Sequence, residues 1–220
     1  MLFRSVLRFL AARRSFVHMA IAAGLSSFVG YSVIVFMPSF LKRSFAMETV
    51  ELGLWLGLIL GFCGGAGFFF GGYFADHLGQ GSHKKAFNFI ALTVLASAGL
   101  LAMVFLAKTS ALALLLFVVP AATMNVYLAP VLSQAQSLVG LSMRATTSAL
   151  ILLIINVIGY AFGPWITGAI SDLLQPKFGD ESMRYSLLIV TTFIMPWAVW
   201  HYLRADHWID ADLARAADHD

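Results

Sequence analysis

Six long apolar runs make up most of the chain, near residues 16–41, 52–75, 86–107, 111–133, 146–171 and 186–203, with short polar stretches between them. An α-helix needs about 20 apolar residues to cross roughly 30 Å of hydrocarbon, and each run has that length. Lipid offers no partner to a backbone N–H or C=O, so each crossing must close its own hydrogen bonds as a helix. The alternation of lipid-facing and lumen-facing residues that marks a membrane barrel is absent from the runs. The pattern predicts an all-α integral membrane protein with six transmembrane helices. Composition agrees, since 60% of the 220 residues are hydrophobic and 11% are charged, against roughly 25% charged in a soluble domain. The one cysteine, Cys63, lies inside the second run, so no intrachain disulfide can form and the residue reads as small apolar packing.

The start of the chain, "ARRSFV" at 12–17, has the paired arginines of an export signal. The apolar run behind it is too long for a signal segment, and five more runs follow. Arg4, Arg8, Arg13 and Arg14 instead alternate with Leu2, Phe3, Val6, Leu7, Phe9 and Leu10, a basic amphipathic segment expected to lie along an anionic membrane surface. Six spans put both termini on one side. That side collects Arg4, Arg8, Arg13, Arg14, Lys84, Lys85, Arg144, Arg204 and Arg215, against Lys42, Arg43, Lys108, Lys177 and Arg184 on the other. The excess of basic residues places both termini in the cytoplasm and the protein in the plasma (inner) membrane. The formal charge of +3 is scattered over span ends, with no basic patch of the kind a nucleic acid requires.

The second run, "GLWLGLILGFCGGAGFFFGG", carries Gly53, Gly57, Gly61 and Gly65 at every fourth residue, a flat strip that lets another helix approach closely. The fifth repeats the theme with Gly159, Gly163 and Gly168, kinked by Pro164. Gly67, Gly72 and Asp76 match Gly163, Gly168 and Asp172 at an offset of 96 residues, each set closing the second helix of a group of three. Three spans separate the copies, so Asp76 ends its helix inside and Asp172 ends its helix outside. This arrangement predicts two inverted three-helix repeats, 16–107 and 108–203, flanked by a basic linker at 1–15 and a tail at 204–220. Residues 172–184, "DLLQPKFGDESMR", read as a polar connector.

"GGYFADHLG" resembles the Gly-x-x-x-Asp-(Arg/Lys)-x-Gly loop of the major facilitator superfamily, and "RATTSALILLIINVIGYAFGPWITGAISD" resembles that family's eleventh helix, most closely in the spinster-like branch. His77 stands where the family loop prefers Arg or Lys, and Gln80 and Gly81 replace its usual basic residues. The resemblance covers the whole chain, but only as the C-terminal six-helix half of such a transporter. It implies a secondary carrier that moves a small organic solute by alternating access, with a missing N-terminal six-helix half as partner. It also implies gating roles for Gly72, Asp76, Gly79 and Asp172. In the family the loop carboxylate sits near the N-terminus of a helix in the other half, where it stabilises the exposed N–H groups by about 0.3–1 kcal/mol. A solvated turn residue is the plainer alternative.

Polar residues near mid-membrane are few, and they are the candidates for the solute pathway: Ser27, Tyr31, Asn125, Tyr127, Asn156 and Tyr160. The resemblance implies that the first and fourth spans face the central cavity. Asn156, Tyr160, Gly163 and Thr167 share one face of an ideal helix, whereas Asn125 points nearly opposite to Thr123 and Tyr127. An interhelical hydrogen bond worth about 0.6 kcal/mol is the ordinary alternative for each asparagine. Every Asp, Glu, Lys and Arg falls at a span end or in a loop, so no residue here is expected to couple transport to an ion. With no partner half, the Gly-rich second and fifth helices are expected to face lipid or a second copy of the chain. No cofactor is expected, and His201, Asp206, His207 and Asp210 lack diagnostic metal spacing; that segment, with Trp200, Tyr202 and Trp208, reads as an interfacial helix. An intramembrane serine protease fits poorly, because "GLSS" at 24–27 lacks the final glycine of its motif. A self-sufficient six-span carrier acting as a homodimer is the main alternative, favoured by the chain's own Met1, as the linker-like start favours a half.

Overall fold

The computed structural model describes residues 2–67, 69, 73 and 83–217. The gating candidates Gly72, Asp76 and Gly79, with His77, lie outside the described residues. Helix α1 (Leu2–Ala11) precedes span 1 (Arg14–Phe45), which stops where Ala46 takes a left-handed φ of 54°. Span 2 follows as Thr49–Gly67, span 3 as His83–Leu106 and span 4 as Ser110–Ser137. The stretch Leu141–Arg215 runs 75 residues almost without a break. It is two passes, span 5 (144–178) and span 6 (Ser182–Ala217), folded back at Gly179, whose φ of 54° suits a residue without Cβ.

The spans pack in a pattern with internal symmetry. Span 1 packs on spans 5 and 6, and span 4 packs on spans 2 and 3. Exchanging the first three spans for the last three turns one set of neighbours into the other, with spans 3 and 6 packed on each other across the centre. Each second helix therefore lies on the first helix of the other triplet, and span 5 keeps contacts with span 6 of its own. Close approach requires glycine at these crossings. Gly67 lies against the carbonyl oxygen of Ala122, and a Cβ on Gly163 would come within 2.6 Å of the carbonyl oxygen of Phe28. Both spans also carry a π-helical segment, Ile59–Cys63 and Ile155–Phe162, starting 96 residues apart.

Glycine is used differently in the two helices. In span 5, Gly159 and Gly163 are pressed against span 1, so this strip is internal and does not face lipid or another copy as expected. In span 2, a Cβ on Gly53, Gly57, Gly61 or Gly65 would meet nothing within 4 Å, so that strip is open.

Three more expectations are corrected. Residues 172–178 are helical, and only Gly179–Glu181 turns, so Asp172 does not end its helix. Contacts with span 6 hold these turns: Ser171 to Ser182 at 3.2 Å, and the rings of Phe178 and Tyr185 4.4 Å apart. The tail is no separate interfacial helix, because span 6 continues unbroken for 36 residues, about 54 Å at 1.5 Å per residue. Ala205, Ile209 and Asp212 of that extension are buried, and Asp212 accepts from the backbone N–H and the hydroxyl of Ser15 at 2.8 and 2.7 Å. Finally, the apolar residues of α1 do not all face outward: Val6 and Leu10 are fully buried, and α1 packs on spans 1 and 5.

Candidate functional site

A cavity of about 260 Å³ opens between spans 1, 4 and 5, and Ser27, Tyr31, Asn125, Tyr127 and Asn156 all line it. Tyr160 joins them from the edge, its ring set against that of Tyr31 with centroids 5.2 Å apart. All six pathway candidates are thus brought together, although ideal helices would separate them.

Asn125 and Tyr127 reach the same cavity because span 4 is not one continuous helix. It ends at Thr123, runs through a turn, and restarts at Leu128. Pro130 has no N–H for the carbonyl of Val126, so a helical hydrogen bond is missing at this point. The chain closes the gap with tight bonds from Val126 N–H to Thr123 O and from Leu128 N–H to Asn125 O. Thr123 is turned the other way, bonded to Ser97 at 2.6 Å.

Span 5 departs from the ideal in the opposite sense. Its π segment closes rings one residue larger than α turns, which rotates everything beyond it. Asn156 and Tyr160 stay exposed, but Gly163 and Thr167 turn onto span 1, where Thr167 donates to the hydroxyl of Ser32 at 2.9 Å. The shared face of four residues expected from 3.6-residue spacing is therefore split into an open pair and a packed pair. Side chains meet carbonyls around the α-to-π junction: Ser27 donates to Ile155 O at 3.0 Å, and the Asn156 amide donates to Leu152 O at 2.7 Å. Asn156 also lines the cavity.

The cavity wall is phenols, amides, hydroxyls and apolar side chains, with no charged residue. Such a surface can orient a neutral or amphipathic solute by hydrogen bonds and aromatic edges. Its volume falls below the roughly 300–1,000 Å³ of a complete ligand site, as fits one wall of a larger one. Ser26, Gly30, Met124 and Leu152 also line it and were not singled out from sequence, though Ser26 stands beside Ser27. A second groove, about 490 Å³ and mostly apolar, lies between spans 2 and 4 and includes Glu51, Trp55 and Ile59. Ile59 lines this groove as Ile155 lines the cavity, each at the start of its π segment.

Asp172 is exposed on span 5, away from this cavity. His201 faces His18, and Asp210 reaches Lys84 at 3.9 Å.

No protein-family profile matches the chain. It is 29% identical over 195 residues to an MFS-type efflux pump of Mycolicibacterium smegmatis, an alignment covering 88% of this chain and 45% of the pump. Among solved structures it resembles a bacterial homologue of the human lysosomal transporter Spinster. The likeness has a TM-score of 0.81 at 22% identity in the inward-facing, unoccupied conformation and 0.66 at 20% identity in the inward-facing, occupied one. Each covers 94% of this chain and 50% of that protein, so the chain spans about half the length of the proteins it matches. This is a multi-pass membrane protein with the fold of one half of a major facilitator superfamily transporter.

Proposed function

We propose that the chain works as the C-terminal half of a secondary transporter, forming one wall of a pathway through which a small organic solute crosses the inner membrane by alternating access. The observation that carries this reading is the meeting of Ser27, Tyr31, Asn125, Tyr127 and Asn156 around one uncharged cavity, built from spans of both triplets. The likeness to an efflux pump supports a transport role. The exchanged packing of spans 1–3 and 4–6 supports two inverted three-helix units within one half. The second wall is a second six-helix unit. The open glycine strip of span 2, flanked by exposed Trp55, Phe62 and Phe69, is the surface it covers. Asp76, with Gly72 and Gly79, acts at the cytoplasmic gate, and Asp172 is its counterpart on the other side. Both termini are cytoplasmic.

Vesicle transport tests this division of labour. A panel of fluorescent organic solutes is offered to vesicles carrying the chain alone, and to vesicles carrying it with a six-helix partner unit. Transport only in the second set is expected. Transport by the lone chain at the same rate would replace the half-carrier with a self-sufficient one.

A further inference from the structure

The seam between the start of span 1 and the end of span 6 gathers positive charge and indole rings that the solute cavity does not use. On span 6, Trp197, His201, Arg204, Trp208 and Arg215 recur at helical spacing along one face. On span 1, Arg14 and His18 stand one turn apart beside them. The groups touch across the seam: His18 and His201 bring their Nδ1 atoms to 2.8 Å, and the Arg14 guanidinium lies 4.5 Å from the centre of the Trp208 ring. Arg204 lies 5.7 Å from the ring centre of Trp200, which in turn meets the rings of His18 and His201. Two nitrogens so close hold one proton between them, so the pair works as a clasp that fixes the two helices side by side.

Three observations separate this seam from ordinary span-end charge. Arg14, Arg204 and Arg215 are all exposed, and Arg14 and Arg204 have no carboxylate partner among the described residues. Asp212, near the end of span 6, is buried and already holds Ser15, with Arg215 4.0 Å away. Asp206 and Asp210 lie on the opposite face of the helix, where Asp210 reaches Lys84. The apolar neighbours towards mid-membrane are open as well: Trp197 is 52% exposed, Trp200 49% and Leu203 46%. Guanidinium groups at the polar boundary, indoles at that level and bare apolar surface beyond match a phospholipid along its length.

We infer that the Arg14–Arg204 seam is a binding site for an anionic phospholipid of the membrane leaflet on the side of the two termini. The phosphate sits between the Arg14 and Arg204 guanidinium groups, which can each grip it with two N–H donors, and Arg215 adds charge from beyond. The acyl chains run along Trp197 and Trp200. A site there ties the first and last spans of the unit through a lipid as well as through the histidine clasp.

The test uses the purified chain in mild detergent, titrated with short-chain phosphatidylglycerol or phosphatidylcholine and followed by tryptophan fluorescence and native mass spectrometry. Phosphatidylglycerol should bind in preference to phosphatidylcholine. The double substitution Arg14→Gln with Arg204→Gln should weaken that binding about 30-fold, since one arginine near an anionic surface is worth about fivefold. The pair Lys42→Gln and Arg43→Gln, at the other end of span 1, should leave it unchanged. Equal binding of the two lipids would overturn the site, as would an unaffected double variant that melts like the wild type. If excess inorganic phosphate displaces phosphatidylglycerol as well as the lipid itself does, the seam is a phosphate site and the lipid assignment fails.

Discussion

The ring of Tyr160 stands edge-on to that of Tyr31, with planes at 83° and centroids 5.2 Å apart, and joins span 5 to span 1 at the rim of the cavity. Tyr160 is 63% exposed, so its ring does little for the core. An edge-to-face pair is worth about 0.5–1.5 kcal/mol. Tyr160→Ala should therefore cost at most about 1 kcal/mol in a thermal or denaturant melt, while lowering solute transport in the assembled carrier several-fold. A loss of folding with transport per folded molecule unchanged would make the pair structural.

The two glycine strips separate packing within the unit from packing beyond it. Gly163→Leu drives a side chain into the backbone of Phe28. It should destabilise by more than the roughly 1–3 kcal/mol of ordinary overpacking, because the obstacle is main chain. A Cβ on Gly57 meets nothing within 4 Å. Gly57→Leu should leave the melt of the isolated chain unchanged and weaken co-purification with a partner unit.

Arg184 knots together the ends of spans 1, 3 and 6. It donates to the carbonyl of Ala107 at 3.1 Å, pairs with Glu181, reaches Ser44 at 3.5 Å and lies over Phe40 and Phe45. Arg184→Ala should cost about 2 kcal/mol, the worth of a charge-assisted bond to a partly buried group. Arg184→Lys should restore little of it, since one ammonium cannot bridge the same set of acceptors.

Asp206, beyond the end of the sixth apolar run, gives the chain a pH dependence. Burial pushes its carboxyl above the usual carboxylate range, with Asp210 adding to the rise and Lys84 and His207 opposing it. Its buried Oδ1 has no hydrogen-bond partner among the described residues. The folded state thus holds the proton more tightly than the unfolded one, and the stability this contributes is present in acid and lost as pH rises through the folded value. Asp206→Asn should raise the melting temperature at neutral pH, and the gain should shrink as the buffer is acidified. A gain that grows in acid would reverse the sign.

The six crossings were legible because burial in lipid imposes a length and an apolarity that the runs at 16–203 display directly. The 96-residue offset was legible too, because Gly67 and Gly163 mark two backbone crossings that admit no side chain. The cavity residues could be named, as rare polar groups in an apolar background, but their common orientation could not be derived. Asn125 and Tyr127 meet there only through the break before Leu128. Asn156 parts from Thr167 only because span 5 winds as a π segment, and that winding depends on bonds to another helix, such as Ser27 to Ile155. Periodicity assumes regular helices, so it fails where tertiary contacts unwind or overfill them. The 172–178 turns and the tail misled for a related reason. Their polarity marks them as outside the membrane, yet contacts such as Phe178 with Tyr185 and Asp212 with Ser15 keep them helical.

Water access to Asn156 tests the central claim most directly. With Cys63→Ser as background, a single cysteine replaces Asn156, Tyr31 or, as a control, Leu92, which is 67% exposed in the middle of span 3. A membrane-impermeant maleimide is applied to each side of sealed vesicles carrying the chain with its partner unit. If spans 1, 4 and 5 line an aqueous pathway, Asn156→Cys and Tyr31→Cys react and Leu92→Cys, facing lipid, does not. Protection of Asn156→Cys and Tyr31→Cys to the level of Leu92→Cys would mean that the cavity is filled by lipid or protein, and would contradict the account.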